Sequence, residues 1–287
     1  MRKGILKNLY ISLLISLLLG GCAQSAAASK ENAAASGFET KKAEGDISFD
    51  YHLFTPEDGT DMPLVIVFHG YGENENAQNT TIVATITSEE SQALRPCYLI
   101  APAIEDNIFL AKSNRDNMYS EIKEISDKLI SDGKVDPDRI YVLGNSFGGL
   151  ATIEFLESYP ESVAGAICMC PALTYSKDST SDLSKIKDIP LWFAHAENDN
   201  VIPVTVSKSA YSTLRAMGSE NVFITTFSNE EMLKCGALIG YHQSDLAVMA
   251  DDSYLEWLFE NRILYTSLSG KENYIGPVAV FFNGVIN

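Results

Sequence analysis

The stretch Arg139-Ile-Tyr-Val-Leu-Gly144-Asn-Ser146-Phe-Gly148-Gly149 runs straight into Leu150-Ala-Thr-Ile-Glu-Phe-Leu-Glu-Ser-Tyr159. A short apolar strand, a Gly-x-Ser-x-Gly turn and a helix in immediate succession leave the backbone few options. The turn must be sharp, so strand and helix nearly touch at residues 144 and 148, where glycine removes the collision. The Ser146 hydroxyl is then exposed on a strained corner. The Phe147 N–H falls at a helix N-terminus, where it can meet a developing negative charge. The pentapeptide alone also suits a turn that merely packs a helix on a sheet. The strand before it and the helix after it make it constraining.

The rest of the chain supplies a sheet for that corner. Ile47, Phe49, Tyr51 and Leu53 alternate with polar residues, the period of a half-buried strand. Pro63–Phe68 and Cys97–Ala101 are unbroken apolar runs, as expected of strands buried on both faces. Ile122, Ile125, Leu129 and Ile130 recur at helical spacing and stop at Gly133. The pattern then predicts strand 140–143, helix 147–158, strand 163–169, strand 189–194, helix 203–217, strand 221–227 and helix 244–262. Strands alternating with helices imply an α/β fold, with a mostly parallel sheet covered on both faces. No internal repeat is visible. Residues 266–287 have no assigned place in that order and could add or cover an edge strand.

At 287 residues, 46% of them hydrophobic, the chain suits one α/β domain plus a leader. Arg2, Lys3 and Lys7 precede the apolar run Leu9–Leu19, which ends in Leu19-Gly-Gly-Cys22. The run is short for a membrane span and reads as a cleaved signal. Residues 1–22 therefore form a leader whose ending resembles a bacterial lipobox, with Cys22 as the lipid-bearing mature N-terminus. The alternative is plain secretion after a cut near Ala26-Ala27-Ala28. Residues 23–45 are Ala/Ser-rich and read as a flexible tether, and residues 46–287 as the folded domain. With 21 basic against 38 acidic residues, the chain is a poor partner for nucleic acid or an anionic surface; membrane attachment would be through the lipid only.

A serine hydroxyl needs a base to remove its proton, and the base needs a carboxylate to fix its tautomer. Behind a Gly-x-Ser-x-Gly turn the order is Ser, acid, His. Of four histidines, His52 and His69 precede the serine, and His195 precedes any well-placed acid. His242, between the last strand and the final helix, is the one in the required place. Glu197 and Asp199 both follow a strand. Asp199 is preferred, being deeper in the loop and ahead of Val201 and Pro203, although either acid could instead cap a helix. His69-Gly-Tyr-Gly72 follows the strand 63–68, where a second oxyanion donor belongs, and the Tyr71 main chain is the candidate. His69 reads as a brace for that loop. The cysteines Cys97, Cys168, Cys170 and Cys235 read as buried free thiols, with Cys168 and Cys170 on one face of a strand. No Cys-x-x-Cys or His/Cys cluster suggests a metal site, and neither a metal nor a cofactor is expected.

Together, His69-Gly-Tyr-Gly72, Gly144-Asn-Ser-Phe-Gly-Gly149, Glu197-Asn-Asp199-Asn-Val-Ile-Pro203 and Tyr241-His242 resemble the α/β-hydrolases over residues 46–263. They are similar to secreted feruloyl and acetylxylan esterases, polyhydroxybutyrate depolymerases and prolyl-oligopeptidase catalytic domains. The resemblance implies an α/β-hydrolase fold with Ser146 as nucleophile, Asp199 as orienting acid, His242 as general base, and Phe147 and Tyr71 as oxyanion donors. It implies a serine hydrolase, a carboxylesterase before a peptidase, while an open cleft at the cell surface suits small-molecule or polysaccharide-linked esters. Phe147 departs from the smaller residue common there, and its bulk would narrow the acyl pocket. The chain is too short to carry a gating propeller. The polar loop 171–188 implies an open cleft. A peptidase for short oligopeptides, or a noncatalytic surface binding protein on the same fold, are the alternative readings.

Overall fold

The computed structural model describes residues 37–57, 59–175, 182–237, 241–268 and 271–278. The expected leader with Cys22 and most of the expected tether lie outside them. Eight strands form one sheet: β1 (Phe38–Glu44), β2 (Ser48–Phe54), β3 (Met62–Phe68), β4 (Tyr98–Ala103), β5 (Val135–Asn145), β6 (Gly165–Met169), β7 (Leu191–Ala196) and β8 (Val222–Phe227). Their order is β1-β2-β4-β3-β5-β6-β7-β8. The pairs β1/β2 and β2/β4 are antiparallel, and all later pairs are parallel.

Period-two alternation sorts the strand residues onto two cores. Leu64, Ile66 and Phe68 of β3, Ile140 and Val142 of β5, and Leu191 and Phe193 of β7 face one side. Helices α4 (Lys112–Ser131), α5 (Phe147–Ser158) and α6 (Thr205–Ala216) cover it with Met118, Ile122, Leu150, Ile153 and Leu214. Val65, Val67, Tyr141, Leu143 and Ile167 face the other side. There α1 (Thr81–Ile86), α8 (Ser244–Met249) and α9 (Ser253–Glu260) supply Ile82, Val83, Val248, Leu255 and Leu258. Each such side chain, taken fully out of water, contributes roughly 1.5–3 kcal/mol. Continuous apolar strands follow from burial on both faces.

The short helices α2 (Glu89–Leu94), α3 (Asp106–Leu110) and α7 (Asn229–Lys234) complete the main set. Among the described residues no helix is long and apolar enough to cross a membrane.

Two expectations change, and one left open narrows. Phe38–Glu44, expected within a tether over 23–45, instead pairs along its length with Ser48–Phe54 as an edge strand. The helix expected over 244–262 is two, broken at Asp251, whose Oδ1 accepts from the Ser253 N–H. Residues 266–278 add no strand to the main sheet: β9 (Arg262–Leu268) and β10 (Lys271–Val278) pair with each other, antiparallel. Residues 279–287 lie outside the described residues.

Candidate active site

Ser146 stands between β5 and α5 with φ 59° and ψ −115°, a left-handed conformation that a side-chain-bearing residue adopts only under constraint. The constraint is visible on both flanks. A Cβ at Gly148 would lie 1.9 Å from the Phe68 carbonyl oxygen, and one at Gly144 2.2 Å from the Gly148 oxygen. Two backbone bonds strap the corner to the end of β6: Ser146 N–H to Met169 O at 2.9 Å and Ala172 N–H to Ser146 O at 3.0 Å.

Parallel strands deliver the partners to the same carboxyl edge, where open α/β sheets form their crevices. Asp199 follows β7, and His242 lies between α7 and α8. His242 Nε2 is 2.8 Å from Ser146 Oγ, and Nδ1 is 2.6 Å from Asp199 Oδ2. The other carboxylate oxygen, Oδ1, accepts from the Val201 and Ile202 N–H groups at 2.8 and 3.0 Å. Ser244 Oγ accepts from the Ala196 N–H at 3.1 Å and ties the His242 loop to the β7 end. Ser146, Asp199 and His242 are therefore brought into one hydrogen-bonded line. Glu197 is not: it is exposed, and among the described residues its side chain meets Thr226, at 3.4 Å.

Electrostatics favour an ionised Asp199. Burial works against its charge, but hydrogen bonds from His195 and His242 outweigh burial and hold the carboxyl below its ordinary value. For His242, burial pushes the imidazole down, while Cys170 and the Asp199 carboxylate raise it above the ordinary value. The Cys170 thiol itself donates to Asn145 Oδ1 at 3.0 Å.

The loop after β3 holds the second candidate donor. Its His69 is buried; Nδ1–H donates to Gly70 O at 2.6 Å, and Nε2 accepts from the Ile104 N–H at 2.8 Å. Both ring nitrogens are used, and burial lowers the imidazole to about 4, so the brace is neutral. The Gly70 N–H is taken by Glu73 Oε2 at 2.7 Å. Tyr71 donates its hydroxyl to Asp106 Oδ2 at 2.7 Å, and its ring packs 5.5 Å from Phe147. Phe147, 2% exposed, also meets Phe109 and Tyr175 at 5.4 and 4.3 Å. Its N–H opens α5 and has no intrahelical acceptor.

Two residues join the site that sequence reasoning left out of it. His195 lies fully buried with Nε2–H shared between Ile202 O (2.9 Å) and Asp199 Oδ2 (3.3 Å), its Nδ1 accepting from Ser207. Cys170 follows the end of β6, turned by a φ of 33°. That turn separates it from Cys168, whose thiol donates to Gly149 O, so the two do not act as a same-face pair. Cys170, Asp199 and His242 each place one donor atom within 4.8 Å of the others. The sequence suggested no His/Cys cluster and no metal site; among the described residues the fold nonetheless gathers this metal-capable set.

A family profile for phospholipases and carboxylesterases matches residues 103–236, a span that includes Ser146 and Asp199 but ends before His242. The crystal structure of a thermostable esterase is 28% identical with a TM-score of 0.66, over 79% of this chain and 64% of that one. A protein of Acanthamoeba polyphaga mimivirus, named as an alpha/beta hydrolase, is 28% identical over 42% of this chain and 52% of its own. The chain thus spans about half the length of that curated relative. The siderophore hydrolase of Aspergillus nidulans shares the fold at 15% identity and a TM-score of 0.56, over 81% of this chain and 98% of that one. With the sheet order and the elbow, these likenesses make the chain a member of the α/β-hydrolase superfamily.

Proposed function

We propose that the protein is a serine hydrolase of the carboxylesterase type, held outside the cytoplasm by lipid on Cys22 and acting on esters of bulky or polymeric substrates. The observation that carries the catalytic part is the unbroken line Ser146–His242–Asp199 at the strained corner. Ser146 Oγ attacks the carbonyl carbon while His242 Nε2 takes its proton. The Nδ1–H stays with Asp199, so the imidazolium forms beside a carboxylate already held in place. The tetrahedral oxygen is met by the Phe147 and Tyr71 N–H groups; loss of one such donor costs roughly 10²–10³ in rate. His242 passes its proton to the departing alcohol, leaving an acyl-enzyme. Water then repeats the sequence and frees the acid and Ser146.

The phospholipase/carboxylesterase match and the esterase likeness support ester over amide cleavage. The aromatic wall of Phe147, Tyr71 and Tyr175 supports a narrowed acyl side. The basic start, apolar run and Leu19-Gly-Gly-Cys22 support the lipid anchor. The test is hydrolysis of p-nitrophenyl acetate beside an aminoacyl-anilide. Ester turnover well above anilide turnover is expected. Faster anilide cleavage makes it a peptidase, and inactivity on both favours a noncatalytic binding protein.

A further inference from the structure

We infer that a thiophilic divalent cation of the zinc or cadmium kind binds Cys170, His242 and Asp199 and switches the hydrolytic line off. These side chains carry three different donor types, and their donor atoms lie within 4.8 Å of one another. Tetrahedral zinc, with bonds of about 2.0–2.3 Å, sets donors about 3.4–3.8 Å apart, so small side-chain rotations close the set. The position supports occupancy. Cys170 is fully buried, the Asp199 side chain is 0% exposed and that of His242 11%, so a bound ion would be shielded from competing water. Thiolate, imidazole and carboxylate are the ligands that select such ions, and a fourth place is left to water.

Binding removes the Cys170 proton to solvent and converts the thiol into a thiolate ligand. The consequence for Ser146 is the same whichever imidazole nitrogen the ion takes. On Nε2, the ion occupies the lone pair that would accept the serine proton. On Nδ1, it displaces the proton to Nε2, which then donates to Ser146 and cannot accept from it. Cys170 therefore turns the site into one that reports soft metal ions. The switching part rests on the hydrolase reading above; the binding part does not.

The experiment titrates the purified full chain with cadmium alone and follows two signals. One is the ultraviolet thiolate-to-cadmium charge-transfer band; the other is labelling by a fluorophosphonate. A band that saturates at one ion per chain, with parallel loss of labelling restored by a chelator, is expected. Cys170→Ala and Cys170→Ser should lose that saturating band, and their labelling, scaled to each variant's own metal-free level, should become insensitive to cadmium. The same saturating band in both variants, or none in the wild type, overturns the site. A Cys170-dependent band in a protein that never labels upholds the site and fails the hydrolase reading instead.

Discussion

Replacing Asp199 by asparagine isolates the carboxylate proposed to orient His242. Both of its oxygens accept N–H groups: Oδ2 from His242 and His195, and Oδ1 from Val201 and Ile202. An amide offers one acceptor, so one side of the substituted side chain must present N–H to N–H. The least costly arrangement keeps the oxygen on the two backbone amides and turns the amide nitrogen toward His242. The imidazole then moves its proton to Nε2 and donates to Ser146 in place of accepting from it. Tautomer reversal of this kind costs about 10⁴ in kcat, equivalent to about 5 kcal/mol of transition-state stabilisation. Alanine is the poorer probe, because leaving the Val201 and Ile202 amides unpartnered costs about 1–3 kcal/mol each in stability. Steady-state ester hydrolysis by Asp199→Asn should show kcat collapsed and KM little changed, with the thermal transition near wild type. Glu197→Gln, at an exposed site, should keep nearly full activity. A strong loss in Glu197→Gln with near-normal Asp199→Asn would refute the assignment.

Other substitutions probe the supports. Glu154 accepts from Arg115 at 2.7 and 2.9 Å and from Tyr119 at 2.8 Å, in a pair only 1% and 4% exposed. Glu154→Gln strands a buried guanidinium charge and should lower stability in urea by about 3–5 kcal/mol; a change under about 1 kcal/mol would contradict this. His69 is held neutral down to about 4, whereas the unfolded chain takes up its proton near the ordinary imidazole value. Its stabilisation is present above that value and is lost as pH falls toward 4, by up to about 3 kcal/mol. Urea titrations at neutral and acidic pH should show a smaller difference in His69→Gln than in wild type. Cys22→Ala should release the protein from membranes, with mass spectrometry of the wild type showing acyl mass on Cys22; an unmodified N-terminus near Ser29 would replace the anchor with plain secretion.

What the sequence made legible was what is local or ordered along the chain. The elbow is written in consecutive residues, and Gly144 and Gly148 stand where a Cβ would strike backbone. His242 followed from chain order alone. The edge strand Phe38–Glu44 was hidden because, of its seven residues, Ala43 alone is buried, and its pairing with β2 makes it a strand. The capped helices at 81–94 were overlooked although Thr80 and Ser88 accept from Val83 and Ser91. Cys170 and His195 had no local signal. Cys170 reaches His242 because β6 pairs beside β5 with Asn145 opposite Met169, and His195 reaches Asp199 through the turn after β7. Both contacts are consequences of sheet order.

The proposed function rests on Ser146 as the single activated nucleophile. Mass mapping of the protein after fluorophosphonate treatment measures this directly. One adduct is expected, on Ser146, and none in a folded Ser146→Ala variant. An adduct on another residue, labelling that persists in the variant, or no labelling of the metal-free wild type would contradict it.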